Sequence, residues 1–261
     1  MDLHLIGKTA LVTGSTAGIG LAIAERLAQE GAETIICGRS QDKLDAAAER
    51  IAKVGKVRPV LADPGTAEGA ATLIAAAPDA DILINNLGTY EAKPFTEITD
   101  ADWHHLFEVN VVSGARLARH YFPKMLAKDW GRIIFIASES ALVIPKEMIH
   151  YGATKTAQLA IARGLAEQTK GTGVTVNSVL PGPTRSEGIV DFIRSTAKDK
   201  SASDDELEAG FFDTMRPLSL IRRLTEPEEI GNIVAFLASP LASVTNGAAI
   251  RAEGGIVPTI A

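Results

Sequence analysis

One stretch of eight residues constrains the fold of this chain more than any other. Residues 13–20 read Thr-Gly-Ser-Thr-Ala-Gly-Ile-Gly, with a short apolar run at 9–12 before them and a segment of helical periodicity at 21–28 after them. A glycine-rich turn between a strand and a helix exposes backbone N–H groups at a helix N-terminus, where the free donors and the helix dipole both favour a phosphate. This context therefore predicts a phosphate-binding turn within a β–α unit.

The rest of the chain repeats the alternation of strand and helix. Further strands are predicted at 34–37, 57–61, 81–84, 131–138, 174–179 and 248–251, and further helices at 41–54, 66–77, 100–126, 151–170 and 226–238. Continuous apolar strands separated by helices indicate a parallel sheet that is covered on both faces. We predict an α/β, doubly wound Rossmann fold with a seven-stranded, mostly parallel sheet in a single domain, 1–261.

The stretch 183–223 interrupts the alternation with mixed charge and a pair of phenylalanines, and a substrate-binding loop is expected within it at 185–216. We expect one or two short helices here that form a mobile lid over a substrate. Elsewhere, glycine and polar residues follow six separate strands: Gly14, Arg39, Asp63, Asn85, Ser138 and Pro181–Gly182. Because ligands of open parallel sheets bind beyond the carboxyl ends of the strands, these positions predict one site along one edge.

Composition excludes several classes of function. The 261 residues carry a formal net charge of −6, which argues against nucleic acid or an anionic membrane as partner. No apolar run is long enough to span a membrane, so we expect a soluble, cytoplasmic protein. Cys37 is the only cysteine, which rules out an internal disulfide and suggests an inert core residue. No cluster of histidine, cysteine and carboxylate has metal-ligand spacing, so no metal site is expected.

Taken in order, the motifs resemble those of the short-chain dehydrogenase/reductase family. Thr-Gly-x-x-x-Gly-x-Gly matches 13–20, and Asn-Asn-x-Gly matches 85–88, with Leu87 where the family usually has alanine. The resemblance covers essentially the whole chain except 185–216, and it is specific because all the motifs occur at family spacings. The remaining matches are Asn110, Ser138, Tyr151 with Lys155 as Tyr-x-x-x-Lys, and the segment Pro181-Gly182-Pro183-Thr184.

The resemblance implies an oxidoreductase that transfers a hydride between a nicotinamide cofactor and a carbonyl compound or secondary alcohol. It assigns Tyr151 as general acid and base, Ser138 as the group that holds the substrate oxygen, and Asn110 as the holder of a relay water. Lys155 would bind the nicotinamide ribose. Since Lys155 lies four residues after Tyr151, it shares a helix face with it, and its ammonium group is expected to lower the pKa of the phenol.

The resemblance also assigns the cofactor contacts. An acidic residue after the second strand would bind the ribose 2′-hydroxyl of NAD, but this chain has Gly38 followed by Arg39. A guanidinium group suits a 2′-phosphate, so we predict NADP(H), with NAD as the alternative. The residues expected at the cofactor are Gly14, Ser15, Thr16, Gly18, Ile19, Gly20, Arg39, Asp63, Asn86, Gly88, Tyr151, Lys155, Pro181, Gly182 and Thr184.

The substrate is the least determined part of the sequence. Candidate wall residues are Tyr90, Ser140, Ile144, Ile149, Pro183, Phe192, Phe211, Phe212 and Met215. Their apolar character favours a small, hydrophobic carbonyl compound or alcohol, although several suit the core of the lid equally well. His104 and His105 are expected at the surface. His150 either touches the substrate or, as we favour, has a structural role.

Three alternatives remain open at this point. Family members that reduce 3-oxoacyl groups on a carrier protein tend to carry basic residues where this chain has Asp129 and Thr172, so a carrier-bound substrate ranks second. A catalytically silent dinucleotide-binding regulator is disfavoured by the intact tetrad. The chain could also serve mainly for assembly, and by family analogy we predict a homotetramer. The helix from Tyr151 carries small residues that permit close approach: Gly152, Ala153, Ala157, Ala160, Ala162 and Gly164.

Overall fold

The strands form one parallel sheet. The computed structural model describes residues 1–197 and 199–260, apart from the side chain of residue 187; Lys198 of the predicted lid and Ala261 of the predicted domain lie outside. Within that part of the chain, the strands run in the order β3-β2-β1-β4-β5-β6-β7 and every pairing is parallel. The strands are β1 Thr9–Val12, β2 Glu33–Gly38, β3 Val57–Leu61, β4 Ile82–Asn85, β5 Gly131–Ile136, β6 Val174–Pro181 and β7 Ala249–Ala252.

Helices follow the strands and cover both faces, which confirms the predicted doubly wound α/β fold. In the described residues they are α1 Gly18–Gln29, α2 Gln41–Ala52, α3 Ala67–Ala76, α4 Asp100–Phe107, α5 Ser113–Ala127, α6 Ile149–Glu167, α7 Glu187–Thr196, α8 Asp204–Thr214 and α9 Pro227–Ala238. Helices α1, α2 and α9 pack on one face of the sheet, and α3, α5 and α6 pack on the other.

The central strands are apolar throughout because successive side chains enter different cores. Ile82 and Ile84 of β4 belong to the cluster that contains Ile23 of α1, whereas Leu83 between them belongs to the cluster of Leu117 on α5. All of these side chains are essentially inaccessible to solvent. The apolar run that predicted this strand is thus required by burial on both of its faces.

The site lies where the order of the strands reverses. From β1 the chain builds outward through β2 to β3 and then crosses back to β4, which pairs with the other side of β1. The helices that follow β1 and β4 leave in opposite directions, so a crevice opens beyond the carboxyl ends of these two strands. The glycine turn at 13–20 and the segment 85–88 meet at this crevice.

The long predicted helix at 100–126 is interrupted by a π-helical segment, Glu108–Val112, between α4 and α5. Ser113 Oγ donates to the carbonyl of Val109 at 2.6 Å, and Gln158 Nε2 donates to the carbonyl of Asn110 at 2.5 Å. These side-chain donors supplement the regular helical ladder and account for the wider turn. The second long helix, α6, begins at Ile149, two residues before the predicted start.

The lid region, where one or two short helices were expected, contains two, α7 and α8. They enclose a small core of their own, formed by Ile193, Leu207, Phe211, Phe212 and Leu224. Arg185 ties this unit to the domain, because its guanidinium binds Glu208 of α8 at 3.0 Å and Glu226 beside α9 at 2.8 Å. Phe212 is almost fully buried there, so this candidate wall residue belongs to the core of the lid. The mobility of the lid stays a prediction.

Candidate active site

The glycine turn leaves an open helix N-terminus. Gly14 and Gly18 have φ angles of +60° and +53°, and a Cβ on Gly20 would lie 2.2 Å from the carbonyl oxygen of Gly14. The N-cap of α1 is Ala17, which offers no side-chain cap, and the first turn carries no acidic residue. Its N–H groups are therefore available to an anion, and the residues present fit a dinucleotide pyrophosphate.

Two predicted cofactor residues shape this turn with their side chains. Ser15 is fully buried, and its hydroxyl donates to the carbonyl of Val12 at 2.8 Å and accepts from the N–H of Cys37 at 3.0 Å. Asn86 Nδ2 donates to the carbonyls of Thr13 and Gly14 at 2.9 and 3.1 Å. Because the hydroxyl of Ser15 is already hydrogen-bonded to Val12 and Cys37, only the backbone of this residue is available to a ligand.

A cavity of about 510 Å³ lies at the carboxyl ends of β1 to β4. Among the described residues, Arg39 is exposed at this cavity and makes no ion pair, which leaves its guanidinium group free for a ligand. Ser40 beside it is the N-cap of α2 and makes no side-chain cap bond, a feature that sequence reasoning missed. Predicted cofactor residues that line the cavity are Gly14, Thr16, Arg39, Asp63 and Gly88.

Some of the residues that line the same cavity were not predicted from the sequence. His105 was expected at the surface, and it is exposed there, but it also borders the cavity together with Glu108. Cys37 lines it as well, yet burial raises the pKa of its thiol to about 12, so it is inert as predicted.

A second cavity of about 180 Å³ adjoins the ends of β5 and β6. It contains Ser138 and Tyr151 of the predicted catalytic set. It also contains predicted cofactor residues, namely Ile19, Pro181, Gly182 and Thr184. The two cavities together therefore contain most of the predicted site. Lys155 lies close to the first cavity, because a Cβ on Gly88, which lines that cavity, would lie 3.4 Å from Lys155 Nζ.

Ser138 is bound to a carboxylate that sequence reasoning missed. Its hydroxyl donates to Glu139 Oε2 at 2.5 Å and accepts from the N–H of Ser140 at 3.1 Å. Glu139 is only 4% exposed, and its other oxygen accepts from Arg216 Nε at 3.1 Å. Glu139 and Arg216 both line the second cavity. A charged residue between small residues directly after a buried strand was the available signal for Glu139, whereas nothing in the sequence pointed to Arg216.

Lys155 lies one turn after Tyr151 on α6, as predicted. Its Nζ donates to the carbonyl of Ile136 at 3.0 Å and lies 5.6 Å from the centre of the Tyr151 ring. Burial lowers the pKa of Lys155 from 10.5 to about 8, and the negative charge of Glu139 partly opposes this shift. The ammonium form therefore still predominates at neutral pH.

The expectation that Lys155 lowers the pKa of Tyr151 is wrong for this structure. Burial raises the pKa of Tyr151 well above its ordinary value, and the charge of Glu139 raises it further. A hydrogen bond with Ser138 opposes these effects but does not outweigh them. The physical reason is that an ionised phenol loses hydration in this cavity and faces a carboxylate nearby, while the amine of Lys155 is directed toward Ile136.

Asn110 clamps the loop after β4. Its Oδ1 accepts from the N–H of Thr89 at 2.8 Å, and its Nδ2 donates to the carbonyl of Thr89 at 2.9 Å and to Thr154 Oγ1 at 3.0 Å. These bonds fix the backbone beside Gly88, at the junction of the two cavities. The relay water that the family resemblance assigns to Asn110 stays a prediction.

The candidate substrate residues divide among several places. Ile144 and Met215 border an outer cavity, and Ile149 lies at neither cavity. His150 is fully buried, packs edge-on to Trp103 at 5.9 Å and does not line the second cavity, which agrees with a structural role. Those that line the second cavity are Tyr90, Ser140, Pro183, Phe192 and Phe211. The second cavity is also lined by residues that were not predicted, namely Met148, Ile189, Glu139 and Arg216.

Two kinds of feature are absent from the described residues. None of their helices has the length and apolar character that a membrane span needs. They also contain no group of three or more histidine, cysteine or carboxylate side chains arranged to hold a metal ion.

Comparison with known proteins decides the family. The model of the short chain dehydrogenase family matches residues 8–196. The chain belongs to this family. It is 49% identical over 263 residues to the uncharacterized oxidoreductase YvaG of Bacillus subtilis (strain 168), with both chains covered completely. It is 32% identical to the 3-oxoacyl-acyl-carrier-protein reductase FabG of Aquifex aeolicus (strain VF5), covering 98% of this chain and 100% of that one.

A solved relative supports the same assignment. The L-sorbose reductase of Gluconobacter frateurii, whose crystal structure contains NADPH and L-sorbose, has a TM-score of 0.93 and 33% identity, with both chains covered completely. This short-chain dehydrogenase/reductase is therefore an enzyme that acts on CH–OH and C=O groups with a nicotinamide dinucleotide.

Proposed function

We propose that this protein transfers a hydride between NADP(H) and a small carbonyl compound or secondary alcohol, with Tyr151 as the general acid and base. One observation carries the proposal: Ser138 and Tyr151 line a single cavity with Ile19, Pro181 and Thr184, next to an uncapped glycine turn. A substrate in that cavity would meet both hydroxyl groups beside the cofactor.

The residues of the chain have separate tasks in this reaction. NADPH, when bound, supplies the hydride to the carbonyl carbon. Ser138 holds the substrate oxygen, and Tyr151 donates the proton that this oxygen takes up. Because burial and Glu139 raise the pKa of Tyr151, the phenol is protonated at neutral pH and ready to act as an acid. Lys155 would bind the nicotinamide ribose, and its hydrogen bond to the carbonyl of Ile136 and its position near Gly88 support this role.

We assign the cofactor as NADP(H) rather than NAD(H). Arg39 is exposed at the first cavity without an ionic partner among the described residues, and no acidic residue ends β2. The guanidinium would bind the 2′-phosphate, with the hydroxyl of Ser40 beside it. Binding of NADPH to L-sorbose reductase agrees with this assignment. The ratio of kcat/KM for NADPH and NADH measures it, and a ratio that favours NADH contradicts it.

A substrate attached to a carrier protein is the second candidate, because the chain is 32% identical to a 3-oxoacyl-acyl-carrier-protein reductase. Asp129 occupies one of the places where a basic residue would meet an acidic carrier, and its Oδ1 accepts from the N–H of Gly173 at 2.8 Å. This position therefore presents a carboxylate rather than a cation. Faster turnover of a carrier-bound 3-oxoacyl group than of any free ketone would reverse the ranking.

A panel of ketones, aldehydes and secondary alcohols tests the proposed reaction. Each compound is incubated with the protein and with NADPH, NADH or the oxidised cofactors, and the absorbance of the reduced nicotinamide is followed. We expect turnover of small ketones with NADPH. Binding of NADPH without turnover of any compound in the panel would contradict the proposed function.

A further inference from the structure

A charged side chain stands in the wall of the substrate cavity. Glu139 directly follows Ser138, lines the cavity of about 180 Å³ and is 4% exposed. Burying a carboxylate costs free energy unless hydrogen-bond donors or positive charges pair with it. The burial of Glu139 beside the hydroxyl of Ser138 therefore suggests a specific role for this carboxylate.

The partners of Glu139 satisfy it only in part. Oε2 accepts from Ser138 Oγ at 2.5 Å, and Oε1 accepts from Arg216 Nε at 3.1 Å. The positive charge of Arg216, which follows α8, compensates that of the carboxylate. A carboxylate has about four lone-pair sites, so these two bonds leave about half of its accepting capacity unused by the described residues. A donor brought by a ligand can use what remains.

The position of Glu139 determines where such a donor must lie. In the proposed function, on which this inference rests, the Ser138 hydroxyl turns its single proton from Glu139 to the carbonyl oxygen of the substrate, which Tyr151 also binds. Glu139 Oε2 is then left to accept a hydrogen bond from the substrate. Glu139 Oε2 lies 2.5 Å from Ser138 Oγ, a spacing similar to that between the two oxygens of a planar α-hydroxy ketone. A hydroxyl on the carbon next to the carbonyl therefore comes within reach of the carboxylate.

We propose that Glu139 determines specificity by accepting a hydrogen bond from this neighbouring hydroxyl, so that the substrates are α-hydroxy ketones and, in the reverse direction, vicinal diols. Reduction consumes NADPH and one proton and yields the diol and NADP⁺. The apolar side chains of Met148, Ile189 and Phe192, which line the same cavity, receive the carbon skeleton. A plain ketone would bring a methylene group against the carboxylate and leave its remaining sites unpaired.

Three ketones that differ at one position provide the test. 1-Hydroxy-2-butanone carries the hydroxyl, 3-pentanone replaces it with a methyl group of similar size, and 1-methoxy-2-butanone keeps the oxygen but lacks the O–H donor. We measure kcat/KM with NADPH for the unaltered protein. It is expected to prefer the hydroxy ketone to both others by about tenfold or more.

Variants separate recognition from the intrinsic reactivity of each ketone. Glu139→Gln keeps the size of the side chain but replaces a charge-assisted bond with a weaker neutral one, and its preference for the hydroxy ketone is expected to fall by about tenfold. The preference is a ratio of kcat/KM values measured with one variant. Any general loss of activity that the substitution causes through Ser138 therefore cancels from it. The matched control is Glu147→Gln, because Glu147 also approaches Arg216, at 3.8 Å, but lines the outer cavity. It is expected to keep the preference.

The outcomes are distinguishable. An unchanged preference in Glu139→Gln overturns the inference while leaving the proposed function in place. If that variant does not fold, equal kcat/KM for the hydroxy and methoxy ketones in the unaltered protein overturns it instead. No turnover of any of the three ketones, together with none in the wider panel, would contradict the proposed function itself.

Discussion

Glu139 contributes to the raised pKa of Tyr151, the residue that we propose moves the proton. Burial already raises the pKa of Tyr151, and the carboxylate raises it further because a phenolate beside it would be repelled. The protonated form needed for ketone reduction therefore persists above neutral pH. The ionised form needed as a base for alcohol oxidation accumulates only under alkaline conditions.

Replacing Glu139 by glutamine removes that negative charge, so the pKa of Tyr151 should fall. The pH at which alcohol oxidation reaches half of its maximal kcat/KM is then expected to move to lower values. The pH profile of oxidation measures this, with Glu147→Gln as the unshifted reference. A profile that stays in place or moves to higher pH would show that Glu139 does not act on the phenol.

Arg39 is the residue on which, in our proposal, the choice of cofactor depends. Arg39→Ala removes the guanidinium proposed to bind the 2′-phosphate, and a charged hydrogen bond contributes about 1.5–3 kcal/mol. We expect KM for NADPH to rise by about tenfold to a hundredfold, with KM for NADH little changed. Equal effects on the two cofactors would mean that Arg39 does not contact the phosphate.

At this scale, motif spacing predicted the residues that lie close together in sequence or recur throughout the family. Ser138 and Tyr151 were found in this way, and they line one cavity. The pair of Glu139 and Arg216 was missed because its members are 77 residues apart and meet only once the lid is packed on the domain. The predicted direction of the shift in the pKa of Tyr151 was wrong, because the burial of the tyrosine cannot be judged from its spacing to the lysine.

Among the elements, the turn that begins α1 depends on the absence of a side chain at one position. A Cβ on Gly20 would lie 2.2 Å from the carbonyl oxygen of Gly14, closer than any unbonded contact allows. Gly20→Ala must therefore distort the turn. We expect it to lower the thermal unfolding temperature and to weaken NADPH binding, followed by fluorescence titration, by at least about tenfold.

The matched control for this change is Gly210→Ala on α8, where an added Cβ would meet nothing within 4 Å. An alanine in a helix interior is favoured over glycine by about 1 kcal/mol, so this variant should be slightly more stable and bind NADPH normally. Normal binding in Gly20→Ala would show that the turn does not hold the cofactor.

The strands were predictable to within one or two residues. For the central strands the reason is burial on both faces, which requires apolar runs, whereas the edge strands β3 and β7 are mostly exposed or half-buried. The π-helical segment Glu108–Val112 was not predictable, since its carbonyl at Asn110 is bound by Gln158, 48 residues further along the chain. The start of α6 was misplaced at Tyr151 because Ile149 and His150 carry no capping signal of their own.

At the scale of the whole molecule, α6 exposes small residues that we expect to lie in an interface between chains. Ala160 and Gly164 are exposed on α6, whereas Gly152 and Ala162 are buried within the chain. We expect a homotetramer that uses this helix, with sedimentation equilibrium giving the mass of four chains. Ala160→Glu should shift the protein to smaller species without changing its circular dichroism spectrum. A monomer at micromolar concentration in the unaltered protein would contradict the prediction.

The edge of the sheet at which a site is expected was predicted from the alternation of strands and helices alone. Parallel strands place all their carboxyl ends on one side of the sheet. The lid was predicted only in outline. Its sequence showed two helical segments, but whether Phe211 and Phe212 faced substrate or each other depends on packing. Both rings pack against each other in the core of the lid, and Phe211 also lines the second cavity.

The central claim is that the hydroxyl of Tyr151 moves the proton beside a bound NADPH. Tyr151→Phe removes this oxygen alone and leaves Arg39 and the glycine turn intact. Measuring NADPH binding and ketone turnover on the same preparation tests the claim most directly. The account predicts unchanged binding with a loss of kcat of about a hundredfold or more. Turnover that persists at the original rate would contradict it.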